Sequence, residues 1–142
     1  MKGKIIRSVF WALVAVFVIV VVLFVVPLFR EFVGFIVIAV LGGAFFLLGV
    51  ALIVMTVKAR VQGRLKKFLL LTGASSAGVL VSVILHNLVY AAFIYFLGDD
   101  FWDRTGLGDE PVFFILGLIV CPIAFLVGII GSAVLNGREK TA

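Results

Sequence analysis

His86 is the only histidine in the chain, and Ser82, Asn87 and Tyr90 lie within four residues of it. Imidazole is the side chain whose charge ordinarily changes between about pH 5 and 8. Beside a hydroxyl, a carboxamide and a phenol it could respond to protons or contact a ligand, so Ser82, His86, Asn87 and Tyr90 form a candidate polar site. The plainer reading is a neutral ring hydrogen-bonded to a neighbouring helix, because no acid and no second histidine stands near it in sequence. A haem held by two histidines of one chain is excluded.

Cys121, followed by Pro122, is the only cysteine. One sulfur makes no intramolecular disulfide, CxxC redox pair or cysteine-based zinc site, and a small packing residue is expected there. The acidic segment 99–110 has the length of a calcium-binding EF-hand loop, with acids at its first, fifth and last positions. The match fails at Phe101, where the third-position ligand belongs, and at Arg104, which replaces the turn glycine. That leaves weak divalent binding by Asp99, Asp100, Asp103, Asp109 and Glu110, or else a solvated acidic loop with Phe101 and Trp102 as interfacial anchors. No nucleophile–base pair, glycine-rich phosphate loop or two-carboxylate arrangement can be assembled. Neither an enzyme nor a cofactor is expected.

The elements that must position these groups are set by where charge is missing. Residues 8–29, 32–57, 68–97 and 112–136 contain no Lys, Arg, Asp or Glu, and 65% of the chain is hydrophobic. A run of about 20 apolar residues crosses the roughly 30 Å hydrocarbon core as a helix. Only helices and closed barrels satisfy their backbone in that core. The expected fold is therefore all-α, an integral membrane four-helix bundle forming a single domain over 1–142, with a basic loop at 58–67 and an acidic one at 98–111. The first span reads as an uncleaved anchor, since its apolar run exceeds a signal-peptide core of about 7–15 residues and 27–29 offers no small-residue cleavage site. Pro27 should end it, with a tight turn at 27–31.

Of the twelve basic residues, Lys2, Lys4 and Arg7 precede the first span, Lys58, Arg60, Arg64, Lys66 and Lys67 follow the second, and Arg138 and Lys140 follow the fourth. Lys/Arg bias in short loops sets orientation, so both termini should be cytoplasmic, in the cell (plasma or inner) membrane. The net charge of +5 then reflects attraction to anionic lipid rather than to nucleic acid.

Two spans carry small residues at helical spacing. On the second they are Gly34, Ala39, Gly42, Gly43, Ala44 and Gly49. On the fourth, Gly117, Cys121, Ala124, Gly128, Gly131 and Ser132 fall within an arc of about 100°, a groove expected to seat another helix. Pro122 should kink that span by freeing the Leu118 carbonyl. On the third, Thr72, Ser75, Ser76, Ser82, His86, Asn87 and Tyr90 share an arc of about 140°, expected to face inward. Its 30 residues would reach about 45 Å, so it must tilt or protrude.

The spans hold no glutamate of the kind small multidrug transporters use, and the lone cysteine departs from the paired cysteines of tetraspanins and claudins. The leading expectation is a non-enzymatic accessory or assembly subunit whose small-residue stripes bind partner helices or copies of itself. The rival is a homo-oligomeric transporter or channel component using the polar face of the third span, and a lipid-acting enzyme comes third.

Overall fold

The computed structural model describes residues 3–26 and 34–141, with side chains of the second stretch as far as residue 136. The expected turn at 27–31 lies outside the described residues. Four of the helices are long and apolar enough to cross a membrane, and no strand occurs among the described residues. Helix α1 spans Lys4–Val25 and stops where Val26 turns extended, as the residue before a proline prefers. Helix α2 spans Phe35–Lys58, with Lys58 in its last turn beside the negative end of the helix dipole. Helix α3 spans Gly63–Leu97. The fourth long segment is composite: α5 (Pro111–Ile115), a π-helical turn (Leu116–Val120) and α6 (Cys121–Thr141). A short helix, α4 (Phe101–Thr105), lies in the connection before it.

The helices overrun the charge-free runs, α1 starting at Lys4 and α6 reaching Thr141, and two differences from expectation bear on packing. Helix α3 starts five residues earlier than the apolar run at 68–97, taking Arg64, Lys66 and Lys67 out of the basic loop and onto helix. Leu, Lys and Arg are good helix formers, so nothing at 64–67 opposes the extension. In the fourth segment, Pro122 does not act alone. The π-helical turn lies immediately before it, and the Cys121 N–H bonds to the Leu116 carbonyl, five residues back. One extra residue is thereby accommodated in the helix, the usual form of a π-bulge.

Helix α3 lies between α2 and α6, and α1 packs on α2. The apolar core gathers at the end of the molecule that bears the basic residues, where Phe10, Leu13, Leu52, Leu69 and Phe125 are fully buried. Phe17, Phe45 and Phe125 meet there with centroids 4.7–6.1 Å apart, joining α1, α2 and α6 at spacings typical of favourable aromatic pairs.

Small residues set how closely α3 approaches its neighbours. A Cβ on Gly49 would lie 2.7 Å from the Gly73 carbonyl oxygen, and one on Gly73 would lie 2.7 Å from the Gly49 carbonyl oxygen, so α2 and α3 touch backbone to backbone. Against α6, Gly131 receives the Phe68 ring, Gly128 faces Thr72, Gly78 faces the Cys121 sulfur and Gly117 faces Ser82. Each step along one helix is matched by a step back along the other, a constant antiparallel register. The groove expected on the fourth span is filled by α3 of the same chain.

The acidic end is more open. Gly34 and residues 35–40 of α2 are exposed, and among the described residues no atom lies within 4 Å of a Cβ built on Gly42 or Gly43. Gly128→Leu should therefore lower stability directly, since its Cβ would meet the Thr72 hydroxyl and lie 2.9 Å from the Thr72 amide nitrogen. We expect a loss of about 2–3 kcal/mol, the upper range for overpacking. Reversible unfolding in detergent micelles, at several protein concentrations, should show the loss to be concentration-independent.

Candidate functional site at the acidic end

Helix α3 is 35 residues long, about 52 Å at 1.5 Å per residue. Its final turns run past the start of α5, and the connection folds back along them. Gly98 ends the helix at φ 102°, and Gly106 ends α4 in the left-handed region at φ 71°, conformations that glycine adopts without steric cost. The Arg104 guanidinium donates to the Leu97 carbonyl at 2.9 Å, placing a cation at the α3 C-terminus. Between these turns Trp102 is directed inward. Its ring stacks on Tyr90 with centroids 5.7 Å apart and planes 7° from parallel, and its indole N–H donates to the Tyr90 carbonyl at 3.2 Å. Trp102 is buried and braces the loop against α3, rather than standing free as an interfacial anchor.

Folding back brings Glu110 beside His86. Glu110 is 3% exposed and caps α5, its carboxylate accepting from the amides of Val112 at 2.8 Å and Phe113 at 3.0 Å. Side-chain capping satisfies donors that have no partner inside the helix, and Pro111 at the first helical position has no N–H to satisfy. His86 Nδ1 lies 3.1 Å from the Glu110 carbonyl oxygen and 3.3 Å from its carboxylate Oε2. Both neighbours are acceptors, so an N–H at Nδ1 has partners to donate to. On the other side of the ring, Nε2 faces the Asp109 carboxylate at 3.6 Å, and Asp109 in turn accepts from the Glu110 amide at 2.7 Å. Tyr90 and Phe114 flank the imidazole, with centroids 6.5 and 5.8 Å away.

The polar face of α3 is thus divided among several neighbours. Ser76 donates to the Phe45 carbonyl of α2, and Thr72 to the Phe68 carbonyl of its own helix. Ser82 is buried against Gly117 and Cys121. Asn87 stands apart, exposed, with its amide donating to the Val83 carbonyl one turn below at 2.8 Å. Of the four candidate polar residues, the structure gathers His86 and Tyr90 with Trp102 and Glu110, places Ser82 one turn deeper, and turns Asn87 outward. Gly117, Cys121, Gly128 and Ser132 are buried along α3, with Ala124 and Gly131 partly so. The buried hydroxyls of Thr56 and Ser132 have no hydrogen-bond partner among the described residues.

Sequence reasoning missed the acid beside His86 because 24 residues separate the two. One local signal was available: an acidic residue, then proline, then an apolar run marks a helix start. It identifies Glu110 as a cap, although not its contact with His86. The acidic segment is also not uniformly solvated, since Glu110 is buried while Asp99, Asp100, Asp103 and Asp109 are exposed. These acids do not converge: among the described residues no three of His, Cys, Asp and Glu are placed to hold a metal ion.

The arrangement pins the 98–110 connection to α3 through one imidazole and two carboxylates. Comparison with family models, with curated proteins and with solved structures returned no match. Glu110→Ala should cost about 2–3 kcal/mol by removing a cap and a charge-assisted partner together. In a double-mutant cycle with His86→Ala, unfolding free energies should show a coupling of about 1 kcal/mol or more.

Proposed function

We propose that this chain is a four-pass integral membrane protein with both termini cytoplasmic, residing in the plasma or inner membrane as a non-catalytic assembly subunit. In this reading the acidic-end half of α2 receives a membrane helix contributed by another chain. Four long apolar helices and the basic residues gathered at one end support insertion in that orientation.

The observation that carries the docking role is the contrast between glycines. Gly49, Gly73, Gly117, Gly128 and Gly131 each face an atom of a neighbouring helix, whereas among the described residues Gly42 and Gly43 face none, on a helix whose preceding two turns are exposed. Ala39 and Gly43, four residues apart, form the small-xxx-small spacing that lets membrane helices approach closely. The stripe on the fourth span, by contrast, is already engaged by α3. A transport path along α3 is disfavoured because Ser76, Ser82 and His86 are directed at internal partners.

Two measurements test this reading. Reporter tags at the two chain ends should appear on the cytoplasmic face and a tag in the 106–108 turn on the opposite one, and ends on opposite faces would sink the topology. Gly43→Leu should leave unfolding within about 0.5 kcal/mol of the parent, as a substitution into open space does. The same change should reduce the mass that co-purifies from native membranes in mild detergent by about tenfold, the factor that 1.4 kcal/mol of lost contact gives. A parent chain recovered only as a monomer would overturn the assembly role. So would undiminished association of the Gly43→Leu variant.

A further inference from the structure

At the basic end, a groove of about 590 Å³ opens between the first turns of α3 and residues 131–135 of α6. That volume falls within the roughly 300–1,000 Å³ usual for small-molecule sites. Its lining changes character with depth. Arg64 and Lys67, one turn apart on the same face of α3, stand at the rim. Phe68 and Leu71 continue that stripe inward, and Val134 and Gly131 form the opposite wall on α6. Leu71 lies about 10 Å further along the α3 axis than Arg64. At Gly131 the Phe68 ring packs directly on the α6 backbone, since a Cβ there would collide with the ring, and this contact closes the groove on its inner side. Both cations are exposed, and neither forms an ion pair among the described residues.

We infer that this groove seats one anionic phospholipid of the cytoplasmic leaflet, with its phosphate held by Arg64 and Lys67 and an acyl chain lying along Phe68, Leu71 and Val134. The inference rests on the membrane reading above and adds a ligand class to it. Charge complementarity selects the occupant. A guanidinium and an ammonium at the mouth of an apolar trough match a phosphodiester joined to hydrocarbon, with arginine able to engage two phosphate oxygens at once. Basic pockets between spanning helices at the cytoplasmic side recognise acidic headgroups in this way. A soluble anion would use the rim and leave the apolar floor uncovered.

The test uses the full chain in micelles containing equal phosphatidylglycerol and phosphatidylcholine, with retained lipid counted by native mass spectrometry. The parent should retain one phosphatidylglycerol in preference to phosphatidylcholine. Arg64→Gln with Lys67→Gln should reduce that retention about tenfold. Removing two charges outside the groove, by Lys58→Gln with Arg60→Gln, should change it by less than about twofold. Arg64→Lys with Lys67→Arg should restore it. Val134→Trp, at a half-exposed position, keeps every charge but fills the trough, and should also abolish retention with helical content unchanged. Equal losses in the two charge-removal variants would overturn the seat in favour of diffuse attraction, and so would unaltered retention in Val134→Trp. Alkaline extraction separates the two readings: release of the chain from membranes overturns insertion itself, whereas a firmly inserted chain without lipid preference overturns only the seat.

Discussion

The close approach of the α3 backbone to both neighbouring helices is the constraint on which the other contacts depend. At Gly49 and Gly73 the backbones of α2 and α3 meet with no side chain between them, and at Gly128 the α6 backbone rests on Thr72. Between apolar helices in lipid, burial supplies little driving force, so dispersion across short gaps and a few polar contacts must hold them. This closeness lets the Ser76 hydroxyl reach across to the Phe45 carbonyl. The same register carries Gly117 onto Ser82 and, one turn further, sets His86 level with the start of α5.

The two ends of the molecule are held together differently. At the basic end, interlocked rings and aliphatic side chains close around Phe125 and Leu69. At the acidic end α2 has left α3, and a polar clasp of His86, Glu110 and Trp102 does the joining instead. Polar residues in the long helices need not announce function, because several simply return their hydrogen bonds to a carbonyl one turn back, as Thr72 and Asn87 do. The hydroxyls of Thr56 and Ser132 lack even that among the described residues.

Much of this was legible in sequence, for reasons tied to particular residues. Charge-free runs located the four long helices, because nothing within them stops a helix apart from Pro27 and Pro122. The small residues at positions 117, 121, 128 and 131 lie against α3. Spacing alone, however, does not say whether a face is covered by the same chain or by another. The start of α3 was misplaced because absence of charge was used as a proxy for helix, and Arg64, Lys66 and Lys67 are compatible with both loop and helix. The site was the least legible part. His86 was visible as a lone ionisable group, but its partner depends on a chain reversal governed by Gly98, Gly106 and the inward turn of Trp102. No periodicity records that reversal.

The unequal lengths of the helices have a consequence for any bilayer that holds them. At 1.5 Å per residue, α1 with 22 residues reaches about 33 Å and α3 with 35 about 52 Å, against a hydrocarbon core near 30 Å. The first fits almost upright, whereas the second must lean or draw the surrounding lipid up around it. Because the folded-back connection braces the top of α3, that surplus height cannot be shed by fraying. In a bilayer the charge-free stretches of these helices, 8–25 and 68–97, differ in length, and each ångström of mismatch would cost a fraction of a kcal/mol. Such a shape favours membranes, or regions of one membrane, whose thickness suits the taller side.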